Sequence, residues 1–166
     1  MPAIDQLADQ LDLSLAISLH ASNDVLRDRL VPVNRRYPIA ELLSACKRYM
    51  DRFAERKRVT IEYIMLDQVN DGIKDAKELA KLLSSIPCKV NLIPFNPFPH
   101  SPYRRSSDHA LLAFQDTLRR ADIVTTIRKT RGDDITAACG QLVGKVEDRT
   151  RRQARWSQKI ETLAVL

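Results

Sequence analysis

The side chains able to do chemistry gather at the ends of the apolar runs. Ser18 and His20 close the run Leu13-Ser14-Leu15-Ala16-Ile17-Ser18-Leu19-His20. They lie two apart, so on a strand they point to one face while Leu19 points to the other. Asp67 and Asn70 follow a second apolar run, and Asn96 follows a third, within Pro94-Phe95-Asn96-Pro97. Prolines on both sides hold the backbone there and aim the Asn96 amide. A polar pocket built from Ser18, His20 and Asn96 is a physically reasonable expectation. Glu62 and Asp67 are acids that can stand behind it. His100 and His109 lie in a loop and at a helix start, with no partner in view.

The three cysteines are Cys46, Cys88 and Cys139. Their odd number and wide spacing argue against a disulfide framework. No two are near enough for a CxxC metal knuckle, so the expected metal ligands are none. Cys46 and Cys88 sit on apolar patterns and read as core residues, and by composition alone Cys139 reads the same way. A reducing, cytoplasmic setting fits this usage.

Lys and Arg number 27 against 21 Asp and Glu, a net charge of +6. The excess is concentrated in residues 27–36, 119–131 and 145–159. Such patches suit a polyanion, although solvated faces produce them too. Aromatic residues make up only 5%, which argues against a base-stacking platform.

The elements that must position these groups alternate. Residues 13–20 read as a strand, followed by a polar turn at 21–24. Ile39, Leu42, Leu43, Cys46, Met50 and Phe53 share one face of a helix predicted over 39–54. Val59 to Leu66 is rich in β-branched residues and predicts a strand. A helix follows over 74–85, a strand over 90–95, a helix over 108–121 and a short strand over 123–127. Four of the 8 prolines fall in 94–102, predicting a stiff extended loop. A short helix after Gly132 and a basic tail from 145 complete the reading. Strand–helix alternation predicts an α/β fold with a mostly parallel sheet, or part of a barrel. In such folds ligands gather at the C-terminal strand ends, where Ser18, His20 and Asn96 stand.

A chain of 166 residues is one domain's worth. No apolar run approaches the ~20 residues of a membrane span, and the N-terminal sequence lacks the pattern of a signal peptide. With only 4 glycines, a glycine-rich phosphate cradle is not expected.

Three segments carry a specific resemblance: Ser18-Leu19-His20-Ala21; Asn91-Leu92-Ile93-Pro94-Phe95-Asn96-Pro97-Phe98-Pro99; and Arg128-Lys129-Thr130-Arg131-Gly132-Asp133-Asp134-Ile135, running on to Ala138-Cys139-Gly140-Gln141-Leu142. In this order and spacing they resemble the C-terminal half of the radical SAM RNA methyltransferases, which methylate carbon 2 of adenine in 23S ribosomal RNA and transfer RNA. Leu26 to Asn34 and Val59 to Leu66 also resemble segments of that family.

The resemblance implies the later βα units of a partial, six-stranded TIM-like barrel over 1–127, and a segment with the methyl-carrier cysteine and basic tail over 128–166. It implies that Ser18, Leu19, His20 and Asn96 contact S-adenosylmethionine. It implies that Cys139 is the methyl carrier, methylated by one S-adenosylmethionine before a radical made from a second activates that methyl group. Arg128, Lys129, Arg131, Arg149, Arg151 and Arg152 become RNA-binding candidates, and 23S rRNA and tRNA the expected partners. The family holds a 4Fe-4S cluster on a CxxxCxxC motif, which this sequence lacks. The lone chain is therefore expected not to methylate RNA, being either a truncated gene product or one piece of a split enzyme whose upstream partner chain carries the cluster half. A cut barrel also exposes its first strand, around residues 13–19, to pairing and aggregation. The rival reading is a non-catalytic RNA-binding module.

Overall fold

A computed structural model describes residues 4–6, 14–52 and 58–128. Cys139, Lys129, Arg131, Arg149, Arg151 and Arg152 lie outside the described residues, as do the short helix after Gly132 and the tail. Four strands, β1 (Ala16–Ser18), β2 (Val59–Met65), β3 (Cys88–Pro94) and β4 (Val124–Ile127), form a parallel sheet in chain order. Between β1 and β2 come α1 (Asp24–Leu30), a 3-10 turn (Pro32–Arg35) and α2 (Ile39–Asp51). The other crossovers are α3 (Ile73–Leu83) and α4 (Asp108–Arg120). The expected α/β alternation is what the chain adopts.

Strand alternation sets the two faces of this sheet. Ile17, Val59, Ile61, Tyr63, Met65, Val90 and Leu92 point to one side and are buried. Helix periodicity brings Leu42, Cys46 and Tyr49 of α2, Leu79 and Leu83 of α3, and Phe114 and Leu118 of α4 into the same core. The rings of Tyr63 and Phe114 meet at 5.2 Å, a favourable tilted contact. Cys46 and Cys88 are both buried there, and burial pushes each thiol up to about 11. They are core residues, as the apolar pattern indicates.

The opposite face is polar and partly open. Ser18 pairs in register with Glu62, Glu62 with Asn91, and Asn91 with Thr126. One row of hydroxyl, carboxylate, amide and hydroxyl thus crosses all four strands, with Thr126 Oγ1 3.3 Å from Asn91 Oδ1. A parallel sheet covered on both faces is apolar throughout. This one alternates, with buried residues on the helix side and half-buried or exposed ones on the other.

Among the described residues, strand β1 keeps only Ala16–Ser18 of the expected 13–20, and three further local features depart from the sequence expectations. The predicted turn after His20 opens into α1, capped by the Asn23 side chain, which accepts from Leu26 N at 3.0 Å. Strand β3 begins at Cys88, two residues earlier than the pattern indicates. The proline-rich loop is not extended throughout, because it returns to the end of β2. Leu66 bridges Arg105, and Asp67 N donates to Arg104 O at 3.0 Å. Phe95 gathers Phe98 and Tyr103 edge-on at 5.9 and 6.3 Å, closing the loop on itself.

Candidate functional site

Ser18, His20 and Asn96 all stand at the C-terminal end of the sheet. Ser18 ends β1, exposed on the polar face, while Leu19 is fully buried on the helix side. Asn96 follows β3 by two residues and is partly buried. Since β2 lies between β1 and β3, their ends are separated by two strand spacings, about 10 Å. That gap suits a ligand of nucleoside size.

The β1 end is held with unusual rigidity. Arg27 donates through Nε to Leu19 O at 3.0 Å and through Nη2 to Ser18 O at 3.2 Å. Asn70 Nδ2 donates to His20 O at 2.9 Å. Three consecutive carbonyls are therefore fixed by side chains rather than by a neighbouring strand. Sequence reasoning counts Arg27 within the basic patch at 27–36, but it is only 4% exposed. Burial pulls its pKa down, while Asp24 and Asp28 work the other way. Its Nη1 donates to Asn34 Oδ1 at 2.6 Å, and Asn34 Nδ2 donates to Asp24 and Asp28.

Asn70 is likewise a framework residue. Its Oδ1 accepts from Leu66 N at 2.8 Å, and its Nδ2 also reaches Ile64 O at 2.7 Å. The Tyr63 hydroxyl donates to the Asn70 carbonyl at 2.9 Å. Every polar atom of that fully buried side chain is engaged. Nothing in the residue types at 27, 34 and 70 separates them from surface positions. Their roles follow from contacts between the two strand ends.

His20 leaves the strand conformation, with φ of 62°. That left-handed region disfavours residues with a Cβ, though His tolerates it better than most. Such backbone strain occurs where a surrounding framework enforces it, here Asn70 on the carbonyl. The ring turns toward β2, and its Nδ1 accepts from Ile64 N at 3.1 Å. The neutral imidazole therefore carries its proton on Nε2. Burial, with the nearby Arg27 charge, pushes the imidazole down to about 4, against an opposing pull from the Glu62 carbonyl. At neutral pH His20 is an uncharged donor through Nε2.

Leu19 offers less to a ligand than its neighbours. Its side chain is in the core, its N–H donates to Glu62 O at 3.0 Å, and its carbonyl accepts from Arg27. Its position spaces Ser18 from His20. Asp67 lies outside this group, paired with Arg104 at 3.3 Å. Arg128 is exposed just beyond β4, its N–H donating to Leu92 O at 2.8 Å.

The donor set suits a polar organic ligand rather than a metal cluster. No group of three or more His, Cys, Asp or Glu that could hold a metal ion occurs among the described residues. Cys46 and Cys88 face the helix-side core with thiols pushed up to about 11, the reverse of what thiolate ligation requires. The described residues therefore do not fit an iron–sulfur cluster.

No family model matches the chain. Over 156 residues, 94% of its length, it is 59% identical to the dual-specificity RNA methyltransferase RlmN of Marinobacter nauticus. It also superposes on a radical SAM methyltransferase from Sphaerobacter thermophilus, with a TM-score of 0.79 and 51% identity over 84% of the chain. The chain is similar to one part of these radical SAM methyltransferases. It spans 42% of the Marinobacter protein and 41% of the Sphaerobacter chain. A domain of a pyruvate-formate lyase-activating enzyme from Bacteroides vulgatus shares the fold, with a TM-score of 0.61 at 18% identity, covering 77% of this chain and 74% of that one. The α/β expectation and the resemblance to these methyltransferases both hold. Among the described residues no helix is long and apolar enough to cross a membrane.

Proposed function

We propose that this chain provides the S-adenosylmethionine-holding and methyl-carrying part of an enzyme that methylates carbon 2 of adenine in 23S rRNA and tRNA. The observation that carries this reading is the strand-end arrangement. Ser18, the Nε2–H of His20 and the Asn96 amide offer polar groups about 10 Å apart on a framework locked by Arg27 and Asn70. A framework held this rigidly loses little freedom when ligand binds. In this reading Ser18 and Asn96 hydrogen-bond the polar parts of the cofactor, and His20 donates one hydrogen bond without adding charge. Leu19 acts as the spacer that aims its neighbours.

S-adenosylmethionine, when bound, supplies an electrophilic methyl group on a sulfonium. Cys139 would be the residue to take that methyl group, through its thiolate sulfur. Nearby cations favour the thiolate, a role for Arg128, Lys129 or Arg131. With Arg149, Arg151 and Arg152, these residues also offer contacts to RNA phosphates. The 4Fe-4S cluster belongs to another part of the enzyme, on an upstream chain or segment. Among the described residues β1 pairs only with β2, so its outer edge is a suitable place for that part to add its strands. A cytoplasmic setting agrees with RNA substrates and buried free thiols.

Binding of S-adenosylmethionine to the 166-residue chain tests this directly by calorimetry. Ser18→Ala and Asn96→Ala should each weaken binding about tenfold, for one hydrogen bond of ~1.4 kcal/mol. Undiminished binding in both variants would refute the site. Adenine methylation should require added protein carrying CxxxCxxC, and iron and sulfide should appear after anaerobic reconstitution only in its presence. Methylation by the purified chain alone would refute the division of labour.

A further inference from the structure

We propose that residues 24–37 form a docking surface for single-stranded RNA beside the strand-end site, a reading that rests on RNA being the substrate. A strand and its crossover helix are usually joined by about 2–6 residues. Here all of residues 19–38 separate β1 from α2, and they fold into α1 and a 3-10 turn. This excursion starts at the C-terminal end of β1, the end that carries Ser18 and His20. It is fastened there by Arg27, whose donors reach Ser18 O and Leu19 O. The Asp24 carboxylate also accepts from Ile39 N at 2.9 Å, closing the excursion onto the start of α2.

Its charges are sorted. Residues 24–37 hold Asp24 and Asp28 against Arg27, Arg29, Arg35 and Arg36. Both carboxylates accept from Asn34, and Arg27 is turned inward onto Asn34 and the strand end. Arg29, Arg35 and Arg36 are exposed, and no ion pair engages them among the described residues. Arg36 lies 5.3 Å from the ring centre of Tyr37. Val25 and Val33 are also exposed, at 79% and 53%. The internal polar network thus consumes the negative charge and leaves three cations and two apolar side chains outside.

Sorted in this way, the surface complements a polyanion with exposed bases. An enzyme acting on a base must take it out of a stack, leaving its flanking nucleotides unpaired at the rim of the site. Guanidinium groups bind their phosphates, and the valines and the Arg36–Tyr37 pair cover sugar and base edges. A partner protein would need a carboxylate-rich segment to match the same three cations. Phosphate on every nucleotide makes RNA the occupant that the neighbouring site favours.

Fluorescence anisotropy of labelled single-stranded oligoadenylate with the 166-residue chain, across a range of salt concentrations, tests this. Three phosphate contacts on a single strand contribute about 2 to the slope of log affinity against log salt. The triple variant Arg29→Gln/Arg35→Gln/Arg36→Gln should lose that amount and bind about tenfold or more weakly, while keeping its far-UV circular dichroism. The corresponding triple Lys variant should retain the slope. If the triple Gln variant does not fold, Arg29→Gln and Arg35→Gln singly should each lower the slope by about 0.7. RNA binding by wild type with an unchanged slope in folded Gln variants would overturn this surface and leave the RNA reading standing. Absence of RNA binding by wild type would overturn both.

Discussion

Replacement of Asn70 offers a direct measure of how the site is held. Its side chain makes hydrogen bonds of 2.8, 2.9 and 2.7 Å to Leu66 N, His20 O and Ile64 O, at a fully buried position. Asn70→Ala strands one buried N–H and removes one donor from each of two carbonyls. An unsatisfied buried group costs ~1–3 kcal/mol. The carbonyls can recover part of that through their second lone pair, so the expected loss is about 3–5 kcal/mol. With a urea m-value of ~2 kcal/mol/M, the unfolding midpoint should fall by about 1.5–2.5 M.

Asn70→Asp separates a hydrogen-bonding role from a packing role. The carboxylate keeps an acceptor for Leu66 N but sets an oxygen against His20 O and Ile64 O. The folded state then prefers the protonated form, raising the folded pKa above the ordinary ~3.9. A raised folded pKa means that the folded state binds more protons, so stability falls as pH rises. The penalty should be small below pH ~4 and grow through the folded pKa, making Asp worse than Ala at neutral pH. Urea midpoints followed by circular dichroism from acid to neutral pH measure this. A loss under 1 kcal/mol in Asn70→Ala, or the same pH profile in Asn70→Asp as in wild type, would refute the assignment.

Two further outcomes follow from the same strand end. Arg27→Ala removes a buried charge bonded to Ser18 O, Leu19 O and Asn34, and should cost about 3–5 kcal/mol in denaturant unfolding. Arg27→Lys should recover less than half of that, since an ammonium lacks the planar fork; a Lys variant as stable as wild type would count against fork geometry. His20 should titrate by NMR near pH 4, because burial and the Arg27 charge depress it. The unfolded chain then takes up the proton first, so this contribution is complete above pH ~6.5 and lost as pH falls toward 4. A midpoint near 6.5 would mean that burial and the Arg27 charge do not act on the His20 ring.

Where apolar periodicity decides the structure, the sequence is readable. Leu42, Leu43 and Cys46 mark the core side of α2, and Ile61, Tyr63 and Met65 that of β2, because burial enforces both patterns. Helix α1 escapes such reading, since Val25 faces solvent and the helix is held by the Asn23 cap and the Arg27–Asn34 network. Polar residues carry no period that separates an inward arginine from outward ones. The same limit applies at the candidate site. Ser18, His20, Asn70 and Asn96 are legible from their places after strands, but the framework roles of Arg27 and Asn70 are not. Their function lies in contacts to backbone carbonyls that no side-chain pattern encodes.

The division of labour within residues 18–37 links cofactor and substrate readings through one side chain. Arg27 touches the carbonyls that set Ser18 and Leu19, and it also touches Asn34, which organises the turn carrying Arg35 and Arg36. A shift of that turn under an RNA strand must either move with the β1 end or break a buried 2.6 Å contact between Arg27 and Asn34. The second course strands a buried charge and is costly. On the proposed readings, RNA docking at residues 24–37 and ligand binding at the strand end would therefore be coupled through Arg27. By linkage, the factor by which RNA changes the affinity for S-adenosylmethionine must equal the factor by which S-adenosylmethionine changes the affinity for RNA.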